Sequence, residues 1–166
     1  MTRASLGDAD YRRLLVLRTG LRRFLHWSET EAQAVGLTPA HHQLLLAIRG
    51  HDDPRGPTIG DVAGYLLLRH HSAVELVQRA AALDLVARAE DPDDRRVVRL
   101  SLTAKGASAL EKLTSLHLEE LSRLADEFRP LWQGHPGGAG PAAGNRHRAG
   151  AVRRQDAPQP EEGRNS

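Results

Sequence analysis

The amino-acid sequence predicts a mainly α protein carrying one small β-hairpin. Apolar residues recur at helical spacing in five stretches between Asp8 and Leu131. Only once, between Leu85 and Leu102, does the period change to strand-like alternation, on either side of a polar, turn-rich tip. Helix-start chemistry, Thr38-Pro39 and then Thr58 with Asp61, stands just ahead of two of the helical stretches.

From 8 to 35, Leu14, Leu17, Leu21, Phe24 and Leu25 alternate with Arg12, Arg13, Arg18, Arg22 and Arg23, the pattern of an amphipathic helix. Gly20 weakens this helix without interrupting its period, and Gly36 is a suitable stop. Thr38 caps the next helix with Pro39 at its first position; Leu44, Leu45, Leu46 and Ile48 form its apolar run, and Gly50 ends it. His51 to Pro57, rich in Asp, Pro and Gly, reads as a loop. Thr58 and Asp61 make a capping box for a short helix that buries Ile59, Val62, Ala63 and Leu66. A further helix runs from Arg69 to Leu83, with Ala73, Leu76, Val77, Ala80 and Leu83 on its packed side. Residues 85–89 and 97–102 read as strands around the tip Glu90-Asp91-Pro92-Asp93-Asp94-Arg95-Arg96. The last helix starts at Thr103 and carries Leu110, Leu113, Leu116 or His117, Leu121, Leu124, Phe128 and Leu131, with Pro130 expected to end or kink it. From 133 to 166, Gly, Pro, Ala, Arg and Gln leave almost nothing to bury, so this tail is expected to be disordered.

Composition narrows the function. The 166 residues suggest one domain, and 23 basic against 21 acidic side chains give a net charge of only +2. A duplex reader needs positive charge on one face rather than in total. Aromatics make up 4% of the chain, too few for the stacking platforms that hold single strands. The absence of cysteine excludes disulfides, thiolate metal sites and thiol redox sensing. No apolar stretch is long enough for a bilayer, and Asp8, Asp10 and the early arginines do not resemble a secretory signal, so a cytoplasmic location is expected. No Gly-rich phosphate loop, His-Glu-x-x-His or nucleophile elbow is present, so no catalytic activity and no cofactor are expected.

Three helices followed by a hairpin is the order of a winged helix-turn-helix. A helix about 10–12 Å across fits the major groove, and the hairpin reaches an adjacent groove or the phosphate backbone. The stretch from Thr58-Ile59-Gly60-Asp61-Val62-Ala63 to Leu85-Val86, followed by Asp91-Pro-Asp-Asp-Arg-Arg-Val-Val-Arg-Leu-Ser-Leu-Thr-Ala-Lys-Gly106, resembles the MarR family of bacterial regulators. The resemblance covers roughly Tyr11 to Leu131. It implies a homodimer whose first and last helices (8–35 and 103–132) interlock, with winged lobes (38–104) below. It makes 69–83 the recognition helix, with Arg69, His70, His71 and Ser72 facing the groove. Asp94 orients the wing tip, and Arg96 or Arg95 enters the minor groove or contacts phosphate. The partner it implies is double-stranded DNA at a pseudo-palindromic operator, with a small-molecule effector in the cleft between platform and lobe relieving repression. Two departures stand out: Asp84 replaces the usual Gly after the recognition helix, and Glu75 on that helix would repel phosphate.

Plainer readings stand beside these. The stripe Ala73, Leu76, Val77, Ala80 is core, and Arg95-Arg96 taken alone is an ordinary solvated tip. The first-helix arginines read as a solvated face, and Arg146, His147, Arg148, Arg153 and Arg154 as tail charge. His41, His42, His51, His70 and His71 raise a metal-responsive regulator, but adjacent helical histidines point about 100° apart and do not converge on one ion. His26 and His117 read as surface or partly buried residues near the platform. A winged-helix protein-interaction module without DNA binding is the remaining alternative.

Overall fold

A computed structural model describes residues 6–132; the tail expected to be disordered, 133–166, lies outside the described residues. The elements run α1 (Asp8–Ala34), α2 (Pro39–Arg49), α3 (Ile59–Tyr65), α4 (His70–Ala82), β1 (Val86–Glu90), β2 (Val98–Leu102) and α5 (Ala104–Trp132). Local chemistry sets most of these boundaries. Gly36 takes a left-handed backbone (φ +80°) just after α1. The Thr38 hydroxyl accepts from the His41 N–H ahead of Pro39. Thr58 and Asp61 form the reciprocal box, Asp61 N–H to Thr58 Oγ1 at 3.1 Å and Thr58 N–H to the Asp61 carboxylate at 2.8 Å. Asp84 adopts φ +57°, so the left-handed turn after α4 is made without glycine.

The core is shared by α2, α3, α4, the hairpin and the start of α5: Leu44, Leu45, Val62, Ala73, Val77, Ala80, Leu100 and Leu113 are all fully buried. Ile59 and Leu66 only border it, and Leu83, placed by periodicity in the packed stripe of α4, is exposed at the helix end. β1 and β2 pair antiparallel, Val86 opposite Leu102 and Glu90 opposite Val98. The segment before α3 lies along the other edge of β2, where Leu100 N–H donates to the Pro57 carbonyl at 3.0 Å. That approach needs Gly56, which sits at φ +84° and whose missing Cβ would fall 2.0 Å from the Leu100 carbonyl oxygen.

The long helices α1 and α5 meet at Gly20, where a Cβ would stand 2.2 Å from Cζ of the buried Phe128. Both keep large apolar side chains in the open: Leu14, Leu15, Leu21 and Leu25 on α1, Leu116, Leu118 and Leu121 on α5. Leu21 and Leu121 were expected on apolar helix faces, and in this chain alone those faces are not covered. Of the alternatives Leu116 and His117, His117 turns inward. Pro130 does not end α5, which continues to Trp132. Proline there removes one backbone hydrogen bond without ending the described helix.

His117 joins the lobe to the long helices. Its Nδ1 donates to the Leu113 carbonyl at 2.8 Å, which leaves Nε2 to accept from the Ser28 hydroxyl at 2.7 Å. Its ring lies 4.8 Å from Trp27 and 4.7 Å from the ring of buried His42. Burial, then the neighbouring His117, holds His42 below the ordinary 6.5; burial, then the Arg79 charge, does the same for His41. With both folded-state values lowered, the unfolded chain binds more protons below pH 6.5. The associated stability is therefore complete above that value and declines as pH falls from it toward the lowered pKa values. The urea midpoint is expected to be lower at pH 5 than at pH 7, and His42→Gln to shrink the difference. A midpoint flat over that range in the parent chain would contradict this.

Candidate nucleic-acid interface

Two sets of exposed basic side chains stand out on the lobe. The first is the start of α4. Arg69 is its N-cap, with extended backbone and no side-chain cap bond, and Arg69, His70 and His71 are exposed while Ser72 is half-buried. None of the four side chains has a hydrogen-bond or ion-pair partner among the described residues. The unpaired N–H groups of the first turn point the same way, so this helix end favours an anion. One turn on, exposed Glu75 lies 3.8 Å from Arg79, which offsets its charge. Ala73, Leu76, Val77 and Ala80 fix the opposite face in the core, and so fix which residues face out.

The second set is the wing tip. Val97 N–H donates to the Asp94 carbonyl at 2.8 Å and Asp91 N–H to the Val97 carbonyl at 2.9 Å, closing a tight turn. The Asp94 carboxylate accepts from Arg96 through both the backbone N–H (3.0 Å) and Nε (3.2 Å). Arg96 is 91% exposed, so the pair adds little stability, but it restricts where the guanidinium points. Arg95 is exposed and has no partner among the described residues. The structure thus brings Asp94 and Arg96 together and leaves Arg95 free beside them.

At the wing root lies a charged cluster to which the sequence reading gave no role. Arg99, on β2, donates from Nε to the buried Asp91 at 2.6 Å and from Nη1 to the Gly56 carbonyl at 3.0 Å. Arg55, in the α2–α3 loop, bonds Asp53 and reaches Asp93 at 3.1 Å. Hydrogen bonds from the Arg55 side chain and backbone pull the Asp53 carboxyl down to about 2, and the Arg99 bond lowers that of Asp91. On β2 Arg99 shares the face of exposed Ser101, opposite buried Leu100, so alternation reads it as solvated; nothing local marks Arg55 either, whose partner Asp93 is 38 residues away.

The stretch that carries the resemblance has a second half, Leu102-Thr103-Ala104-Lys105-Gly106, and it joins α5 to the end of α4. The Thr103 hydroxyl donates to the Asp84 carbonyl at 2.6 Å and accepts the Gly106 N–H at 3.0 Å, capping α5. The Thr103 N–H donates to the Leu85 carbonyl and Lys105 Nζ to the Leu83 carbonyl. Among the described residues, no three His, Asp or Glu side chains are gathered to hold a metal ion, and no helix is long and apolar enough to cross a membrane.

Residues 35–97 match the model of the MarR family. Over 71 residues the chain is 32% identical to an uncharacterized HTH-type transcriptional regulator, YsmB, of Bacillus subtilis; the match takes in 43% of this chain and 49% of the relative, so the chain spans about half the length of the curated relative it matches. Among solved structures, AbsC of Streptomyces coelicolor, a MarR family transcriptional regulator, superposes with a TM-score of 0.59 at 21% identity, covering 78% of this chain and 95% of AbsC. A complex of S. aureus MepR with DNA gives 0.59 at 20% identity, covering 68% of this chain and 82% of MepR. Residues 35–97 thus resemble the MarR family in sequence, and most of the described residues share the winged helix-turn-helix fold of these solved structures.

Proposed function

We propose that the protein is a homodimeric, sequence-specific transcriptional regulator that binds double-stranded DNA. The observation that carries this is the pair of exposed basic sets on one winged lobe: Arg69, His70 and His71 at the start of α4, and Arg95 and Arg96 at the wing tip. In the proposed complex the first turn of α4 enters the major groove, where Arg69 and the histidines donate to guanine O6 or N7 or to phosphate, and Ser72 bonds either. Asp94 steers Arg96, with Arg95 beside it, toward the adjacent minor groove or backbone. Residues 38–104 form the reading lobe, and the open apolar faces of 8–35 and 103–132 supply the dimer platform, because exposed leucines in such number favour burial against a second copy. The MepR structure with DNA supports the same use of this fold. A small-molecule effector between platform and lobe would relieve repression by favouring a lobe spacing that mismatches DNA. Such a regulator acts in the cytoplasm, where its operator lies.

Selection of bound sequences from random duplex DNA, at two salt concentrations, tests the proposal. The expected product is a pseudo-palindrome with half-site centres about 10 bp, or one duplex turn, apart, and an affinity that falls steeply with salt. No enrichment at low salt would overturn DNA binding and leave a winged-helix protein-interaction module. Enrichment of sites without twofold symmetry would overturn the dimeric arrangement.

A further inference from the structure

A two-stranded ribbon is marginal by itself, and its direction is set by what holds its root. Here two of the holding groups, Asp53 and Arg55, lie outside the ribbon. Asp53 accepts from Arg55 through its backbone N–H (3.0 Å), Nε (3.2 Å) and Nη2 (3.0 Å), and from Arg99 Nη1 at 3.4 Å. Nη1 of Arg55 then reaches Asp93 at 3.1 Å and Asp91 at 3.5 Å. Asp91 closes the set, taking Arg99 on one oxygen and the Asp93 N–H at 2.9 Å on the other. Guanidiniums and carboxylates therefore alternate from the α2–α3 loop into the turn that carries Asp94, Arg95 and Arg96.

We propose that Asp53 and Arg55, which belong neither to the recognition helix nor to the wing, are positioning residues for DNA binding: they fix the angle at which the hairpin presents its tip arginines. The inference rests on the DNA-binding reading above. A tip released from this strap would spend only part of its time aimed at the duplex, and apparent affinity falls by that fraction. Charge alone predicts the opposite. Asp53 adds a negative charge near phosphate, so removing it should tighten binding if the strap had no role.

The sign of the effect of Asp53→Ala therefore decides between the two. With a labelled 30-bp duplex taken from the selection, Asp53→Ala is expected to bind about threefold to tenfold more weakly than the parent chain at constant salt. Equal or tighter binding would overturn the proposal. Arg55→Lys keeps the charge but loses the fork that spans Asp53 and Asp93, and is expected to weaken binding in the same direction. In Arg55→Gln, which removes the charge as well, the slope of log affinity against log salt should match the parent's, whereas a slope about 2 smaller would make Arg55 a direct phosphate contact, one on each lobe of a dimer. Hydrogen exchange on the DNA-free protein supplies a readout independent of any operator. In Asp53→Ala the amides of Asp93, Arg96 and Val97 are expected to exchange faster, with those of Leu45 and Val77 unchanged. Unchanged tip protection, or a loss spread evenly through α2 and α4, would overturn the positioning role. A looser tip in a parent chain that selects no duplex would instead remove the DNA-binding reading alone.

Discussion

Replacing Arg95 and Arg96 together with alanine is expected to lower affinity for the selected duplex roughly a hundredfold while leaving the dimer intact. In a twofold-symmetric complex the double substitution removes charge from two tips. If one arginine of each tip sits on phosphate, the slope of log affinity against log salt falls by about 2. The tip is a poor candidate for a structural role: Arg95 has no partner among the described residues, and the Arg96–Asp94 pair is too exposed to stabilise the fold measurably. Thermal midpoint and light-scattering mass should therefore match the parent chain. The single substitutions separate the two arginines. Arg96 is already held by Asp94, so less side-chain entropy is lost when it meets DNA, and Asp94→Asn should reproduce part of the Arg96→Ala loss although it removes a negative charge. Affinity within about twofold of the parent, measured by fluorescence anisotropy across a salt series, would place the DNA contact elsewhere.

What the sequence made legible was local. Thr38 with Pro39, Thr58 with Asp61, and Asp84 in a left-handed turn each act within a few residues, so their chemistry can be read without knowing the fold. The outward-facing Arg69, His70 and His71 follow from the same logic, because the buried stripe of α4 leaves them no other face. Long-range pairings were not legible. Arg55 sits in a loop whose Asp, Pro and Gly announce only a turn, yet it ties that loop to the wing. His42 and His117 are 75 residues apart and read as unremarkable histidines until the fold stacks their rings. Gly20 looked like a weak point in α1, whereas its missing side chain admits the Phe128 ring from α5. The choice between Leu116 and His117 turned on which face of α5 meets α1 and α2, and periodicity alone does not contain that. Pro130 shows the reverse case, a strong local signal that the described helix runs past.

Gly106→Ala is expected to be the most damaging single methyl group that can be added to the α4–α5 joint. A Cβ at this buried position would stand 2.0 Å from the Leu85 carbonyl oxygen and 3.0 Å from its carbon. Both atoms are backbone, so no side-chain rotamer relieves the overlap; either α5 must move away from the end of α4 or the Leu85 peptide must turn. Each movement strains the same group of bonds. Leu85 O accepts the Thr103 N–H, Thr103 Oγ1 holds the Asp84 carbonyl and caps Gly106, and Leu85 N–H is donated back to Ala80 at the end of α4. Overpacking a close contact of this kind costs about 3 kcal/mol, before any of these bonds is lost. Chemical denaturation monitored by circular dichroism checks the figure, and a loss under about 1 kcal/mol would mean that the joint yields where its backbone contacts say it should not. Gly20→Ala is the control, since the overlap there is with the flexible-ended Phe128 ring rather than with backbone, and it should cost less. Because α4 hangs from this joint at its C-terminal end and its first turn is the proposed DNA reader, a Gly106→Ala chain that still folds is also expected to lose affinity. The closeness that makes glycine necessary is what couples the angle of α4 to α5.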